Sequence, residues 1–593
     1  MGSPSVQGPS TEPREPREPR RLDSWKEIAA YLNRDVTTVQ RWEKREGMPV
    51  YRHVHDKRGS VYAVPEELDA WREHRRPQLE EQGEPGDLRP QPAASRREWS
   101  TRRWWWVVAA VVVCAALAVG YVAWRGRSRA VAGPQIRSLA VLPLRNLSGD
   151  PSQEYLADGI TEELIGKLAG IRELRVISHT SVMRFKDPKI SVPEIAKALG
   201  VDAVVEGSVI REGSRIRVSA QLIRAATDTH LWSETYDREM RDALTLESEL
   251  AQAIAEKVKV TATGQEEQRL TAARPVAPEV YESYLKGRYA LSEANNKAGL
   301  DESVGYFQDA IAKDPTFAQA YVGLAQAYTR MGLVASGGVP QQTRPKVMEA
   351  ALKALEIDPN LASAHVLLAN TLQENWQWSE AESEYKRALA LSPNDAGAHA
   401  GYALWLSCEG RTDEAVEWIK RARELDPVGV SGSSVSWILF QAHRFDEAIR
   451  EANDSLSVRP NDTGALQTLG FALLGKGQAE NAIPVLEKVE ALSKRNPAAE
   501  GILVRAYARA GRREDALRLL AEMKEKRAAG YFPAAAFVNA YLGLGDKEQA
   551  FVWLEEAFKE QSNILQFVKT HPFFDPIRSD PRFVDLQRRI GLG

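Results

Sequence analysis

Apolar positions along this chain fall into four patterns, and each predicts a different kind of element. Between Leu22 and Trp71 they recur at helical spacing, broken by turns. Ser24-Trp-Lys-Glu27 reads as a capping box opening a short helix with Trp25, Ile28, Ala29 and Leu32 on one face. Asn33-Arg34 turns the chain, and Asp35 or Thr37 starts a second helix with Val39 and Trp42 inward. Thr38, Gln40, Arg41 and Lys44 then fall largely outward. Gly47-Met48-Pro49 stops it. Val50–Val54 and Ser60–Val64 flank a polar turn and predict a hairpin, and Pro65 opens a third helix carrying Leu68 and Trp71.

The second pattern is an unbroken apolar run, Trp104 to Trp124, without a charged residue and with arginines at both ends. Its length suits a ~30 Å hydrocarbon core, and Trp104–Trp106, Tyr121 and Trp124 suit interfacial anchors. A single transmembrane helix is expected there. The third pattern, residues 135–262, alternates short apolar runs with helical stretches and predicts an α/β domain. Its strands are expected at Ser138–Leu144, Leu174–Ser178, Ala203–Ile210, Arg215–Arg224 and His230–Tyr236. Helices are expected at Glu154–Leu168, Val192–Leu199 and Leu244–Val258.

The fourth pattern is a repeat. Ala381, Ala415, Ala448, Ala482, Ala516 and Ala550 recur every 33 or 34 residues, as do Pro359, Pro393, Pro427 and Pro460. Small residues suit the close crossing of paired helices, and proline ends the second helix of each pair. This spacing resembles the tetratricopeptide repeat (TPR), over residues 278–565 and about eight units. Pro315 and Pro359 are 44 apart, which predicts an insertion at Gly332–Gln342. Residues 566–593 read as a closing cap. Residues 1–21 are expected to be disordered, and 77–103 and 263–277 to be linkers. The expected fold class is therefore multidomain: a small helix-turn-helix domain with a hairpin wing, one transmembrane helix, an α/β domain and an all-α TPR solenoid.

Three further resemblances accompany these patterns. Glu27-Ile28-Ala29, Leu32, Thr38–Trp42 and Pro65–Trp71 resemble the excisionase/MerR-type winged helix-turn-helix family over residues 22–76. That resemblance implies a recognition helix at about 36–46 in the DNA major groove and a wing at 55–59 on the phosphates. The candidate DNA-binding residues are Thr37, Thr38, Gln40, Arg41 and Lys44, with Lys57 and Arg58 at the wing. Val141–Asp150, Tyr155–Glu163, Val205–Val209 and Leu231–Asp237 resemble the TolB-like N-terminal (FlgO-like) domain. The whole layout resembles CadC/ToxR-type membrane-bound regulators, whose DNA-binding domains belong to another winged-helix family.

Composition narrows the function classes. The net charge of −3 gives the whole chain no polyanion-binding character, and two cysteines, Cys114 and Cys408, cannot build a disulfide framework. In residues 22–76, Arg34, Arg41, Lys44, Arg45, Arg52, Lys57 and Arg58 stand against Asp35, Glu43, Glu46 and Asp56. His53 and His55 lack further ligands and are read as ordinary hairpin residues. Gly166-Lys167 has no Walker spacing, and no metalloprotease, nucleophile-elbow or kinase motif occurs. Asp158, Glu162 and Glu163 are read as helix-start carboxylates. No enzyme activity, metal or cofactor is expected.

The functional expectation is a bacterial one-component transcriptional regulator in the inner membrane, with a cytoplasmic DNA-binding domain and an extracytoplasmic TolB-like/TPR sensor. A homodimer would supply paired half-sites. Flanking arginines, four on each side, do not settle that topology. The alternative is an envelope TPR scaffold whose N-terminal domain docks a cytoplasmic protein. Counting from the repeat alanines puts Leu404, Trp437, Phe440, Phe471 and Leu474 on one face of the first helices, an expected seat for a protein or peptide partner. Gln326, Asn370 and Gln373 occupy the same rows in neighbouring repeats.

Overall fold

The computed structural model describes residues 21–52, 61–80, 135–186, 190–260, 262–271, 275–294, 296–333, 340–430, 432–493 and 497–593. The chain forms two compact units, Met1–Trp124 and Arg125–Gly593.

In the first unit, α1 (Trp25–Tyr31) starts at Ser24, whose hydroxyl oxygen accepts the Glu27 N–H at 3.2 Å. Glu27 reaches back one residue further than a capping box requires and accepts the Asp23 N–H at 3.0 Å. Helix α2 (Val36–Glu46) is capped by Asp35 and ends at Gly47, whose φ of 63° is the left-handed conformation a helix stop needs. Strands β1 (Tyr51–Arg52) and β2 (Val61–Tyr62) pair antiparallel, Tyr51 opposite Tyr62, and Leu22 bridges to Ala63. Helix α3 runs Pro65–Glu80. The period-3.6 positions supply the core: Ile28, Ala29, Leu32, Val39 and Leu68, closed by Met48, Val61 and Ala63.

In the second unit, β3 (Ser138–Val141), β4 (Arg145–Asn146), β5 (Arg175–Val176), β6 (Ala203–Glu212), β7 (Arg215–Arg224) and β8 (Thr229–Glu239) form one mixed sheet. Its order is β5-β3-β6-β7-β8, with β4 beside β6. The β3, β4 and β5 pairings are parallel, and the β6-β7-β8 meander is antiparallel, turning at Gly213 with φ 62°. Helices Glu154–Ala169 and Ala243–Val258 pack against each other and the sheet. Helix Gly264–Thr271 occupies part of the expected linker.

From Pro278 to Lys559 the chain is a solenoid of paired helices. The repeat alanines 381, 415, 448, 482, 516 and 550 are all fully buried, as close helix crossing demands. Second helices end at Ile357, Leu391, Leu425 and Val458, each two residues before its proline. The first TPR helix, Pro278–Glu293, shares the α/β core through Tyr281, Tyr284 and Leu285. Gly159 makes that approach possible, because a β-carbon there would sit 2.4 Å from Leu285 Cδ2. A second, polar contact joins the α/β domain to the middle of the array. Asn394 Nδ2 donates to the Ile171 and Leu174 carbonyls at 2.8 and 2.9 Å. Ser181 Oγ donates to Asp426 Oδ1 at 2.6 Å and accepts the Val428 N–H at 2.9 Å.

Two expectations are corrected. Among the described residues, no helix is long and apolar enough to cross a membrane, and residues 104–124 lie outside them. The transmembrane helix in the expected fold class is therefore withdrawn. With it go the single-pass inner-membrane localisation, cytoplasmic N-terminus and periplasmic C-terminal region included, and the membrane as partner. What stands is an α/β region followed by an all-helical TPR-like solenoid.

Candidate functional site

Helix α2 carries the first group of candidate residues. Thr37, Arg41 and Lys44 are exposed and spaced i, i+4, i+7, so they share one helix face. Gln40 is half-buried beside them. Thr38 is engaged by the helix start: its N–H donates to Asp35 Oδ1 and its hydroxyl to Asp35 Oδ2, both at 2.8 Å. These bonds hold the Asp35 carboxyl below its ordinary range. Glu43 accepts from Arg52 Nη2 at 3.2 Å, tying β1 to α2. Lys57 and Arg58 lie outside the described residues, as do His53 and His55. Of the two helix starts that the sequence offers, Asp35 is the cap, and the D-x-x-T spacing is the signal of its hold on Thr38.

The second group lies on the solenoid's first helices. Phe440 and Phe471 are buried, whereas Leu404, Trp437 and Leu474 are half-buried. The structure brings the aromatic three together and covers them with the chain's own closing segment, two 3-10 turns at Asn563–Phe567 and Pro572–Ile577. Trp437 meets Phe567 edge-on with ring centres 5.4 Å apart. Phe440 and Phe471 each lie 5.6 Å from Phe573. Gln373 Nε2 donates to Gln566 Oε1 at 3.0 Å. Residues 563–577 thus lie across the face that the sequence assigns to a partner.

Charge shapes this seat. Arg578 Nη1 donates to the Val568 and Lys569 carbonyls at 2.6 Å each, and its Nη2 to the His571 carbonyl at 3.2 Å. His571 is buried, and its Nδ1 accepts the Phe573 N–H at 3.2 Å, which needs a neutral ring. Burial, then the Arg505 and Arg578 cations, lower its pKa to about 3. The Arg505 guanidinium lies 3.9 Å from the centre of the Phe573 ring. The repeat spacing also points to Arg505, which lies 34 residues after Phe471 in the same row, with Asn539 34 further on.

A third constellation joins the α/β domain to the first TPR helix. The buried Glu247 accepts from the Tyr281 hydroxyl, and Tyr284 donates to Glu163. Lys167 Nζ donates to Ser248 Oγ at 3.1 Å. Asp158 pairs with Lys186 at 2.7 Å, and Glu162 pairs with Arg288. These carboxylates are engaged with structural partners. Among the described residues no cluster of His, Cys, Asp and Glu could hold a metal ion.

Comparison with known proteins follows this division. Residues 135–256, where the sequence suggests a TolB-like domain, match the family described as HilA/YgeH-like transcriptional regulator, second domain. Residues 366–429 and 473–532 match tetratricopeptide repeat families. The chain is 32% identical over 249 residues to a Rhizobium meliloti (strain 1021) protein named "Putative adenylate cyclase 3". The match covers 42% of this chain and 42% of that protein, so the chain spans under half of the relative's length. Among solved structures, a thermophilic TPR protein of Thermus thermophilus matches at 20% identity and a TM-score of 0.28, covering 33% of this chain and 99% of that one. YrrB, a TPR protein with an unusual peptide-binding site, matches at 19% and 0.24, covering 32% and 95%. The type IV pilus biogenesis factor PilW matches at 16% and 0.27, covering 42% and 98%.

Proposed function

We propose that this chain is a transcriptional regulator that reads DNA with a winged helix-turn-helix at residues 22–76 and docks a protein or peptide partner on its TPR array. The observation that carries the reading is the exposed row Thr37, Arg41 and Lys44 on a helix held from behind by Val39 and capped at Asp35. Such a row offers hydroxyl, guanidinium and ammonium donors along one face, the chemistry that reads base edges and phosphates. The match of residues 135–256 to a transcriptional regulator's second domain supports the same class. The cyclase activity named in the Rhizobium protein is not part of the proposal, because the overlap spans under half of that protein and no cyclase motif set occurs in this sequence. Selection of random duplex DNA on the full chain tests it. Enrichment of a defined sequence that is lost in Arg41→Ala is the expected outcome. Retention without sequence preference would leave the N-terminal unit as a protein-docking module.

A further inference from the structure

The closing segment fits the apolar part of its seat and matches Gln373 and Arg344 through Gln566 and Asn563, but it leaves Arg505 poorly matched. Arg505 is buried, and its one hydrogen bond to the segment is long, 3.5 Å from Nη2 to the Phe573 carbonyl. Among the described residues its Nη1 has no hydrogen-bond partner, and the guanidinium makes no ion pair. Arg344 and Arg288 in this unit, by contrast, are paired, with Glu374 at 2.8 Å and with Glu162. Asp575 of the segment favours the Arg505 charge from a distance but forms no ion pair with it, and a buried cation so weakly matched is among the less favourable arrangements a protein keeps. At the rim the segment is held by the exposed pair His443–Asp575 at 3.1 Å and the part-buried pair Lys569–Glu409 at 3.3 Å.

We propose that residues 563–577 are a displaceable internal ligand of their own array, and that the partner displacing them is an acidic peptide segment that brings a carboxylate to Arg505. The proposal rests on reading the array as a protein-docking module. A tethered segment competes at an effective concentration of roughly millimolar, so an incoming peptide must bind better, not merely as well. A carboxylate on Arg505 supplies that difference, because charge-assisted bonds are about twice as strong as neutral ones. The tether then acts as a threshold that rejects peptides offering aromatic rings alone.

The test uses the full chain and two fluorescein-labelled peptides. One has the sequence of residues 563–577, and the other has the same sequence with Phe573→Glu. Binding is read by anisotropy on the chain carrying His443→Cys and Asp575→Cys, before and after bridging with a short bis-maleimide. The acidic peptide is expected to bind the unbridged chain at least ten-fold tighter than the native-sequence peptide, and bridging to weaken both at least ten-fold. Arg505→Met should abolish the preference and Arg505→Lys keep it, with melting curves confirming that each variant folds. Equal binding before and after bridging, no binding by either peptide, or a preference that survives Arg505→Met would each overturn the proposal. DNA selection is measured separately, so any of these failures leaves the DNA reading standing.

Discussion

The indole of Trp437 and the imidazole of His571 meet edge-on, ring centres 5.7 Å apart, although 134 residues separate them in the chain. The imidazole stays neutral there because burial and the Arg505 and Arg578 cations lower its pKa from the ordinary 6.5 to about 3. The unfolded chain takes up the proton first as pH falls. Stability from this site is therefore fully present above pH 6.5 and is lost as pH falls towards about 3. Hydrogen exchange across residues 563–577 should accelerate over that window. His571→Asn, whose amide oxygen can still accept the Phe573 N–H, should flatten the response.

The array was legible in the sequence because its signal is local and repeated. Ala381 to Ala550 mark the crossings directly, and every one of them is fully buried. Strands β6 and β7 are legible from alternation and β3 from its apolar run, within a few residues at their ends, whereas β4 leaves no such trace. The seat of the closing segment was not, since Phe567, His571 and Phe573 find Trp437, Phe440 and Phe471 only after the solenoid has curved. Helix Gly264–Thr271 was read as linker because its composition is polar. It is held by Glu266, which accepts the Arg172 N–H at 3.1 Å and the Thr263 N–H at 2.7 Å, a tertiary fact with no periodic trace.

Asn394 is the centre of the polar contact between the α/β domain and the array. Asn394→Ala removes the two hydrogen bonds to the Ile171 and Leu174 carbonyls and a long one from Arg421, and leaves the Ile171 carbonyl only the Leu174 N–H, a loss of about 1–3 kcal/mol in local stability. Exchange at residues 169–178 and 392–394 should speed up together while the helices Pro278–Glu293 and Lys297–Lys313 stay protected. Unchanged exchange at 169–178 would show that the contact is dispensable.

Glu247 is the acid with the opposite sign to His571. Burial, and then the Glu163 charge, raise its pKa from 4.5 to about 8. The folded state holds the proton longer than the unfolded chain, so stability falls as pH rises from about 4.5 to about 8 and is level beyond. Glu247→Gln keeps an acceptor for the Tyr281 hydroxyl and removes the titration. The variant should melt higher than the wild type at pH 8.5, by several degrees for about 1–2 kcal/mol, and match it at pH 4.5. Equal melting at both pH values would mean that Glu247 is ionised in the folded domain.

On α2 the candidate residues should fail in two different ways. Arg41 is exposed on the row with Thr37 and Lys44, and an arginine so placed can fork onto a guanine edge. Arg41→Ala is expected to cost about 1–3 kcal/mol on the selected sequence and little on random DNA. Lys44→Ala, if it meets phosphate, should weaken all duplexes alike and reduce the salt slope by about one unit. Thr38 differs from both, because its N–H and hydroxyl are committed to Asp35 at 2.8 Å. Thr38→Val should lower the melting temperature of the N-terminal unit and scale affinity down evenly, without shifting which sequence is preferred. Isotherms for the full chain at several salt concentrations, beside thermal melts, separate the three behaviours. A Thr38→Val chain that melts normally but changes its preferred sequence would mean that the hydroxyl leaves Asp35 for a base. The helix start would then be part of the reading surface rather than its support.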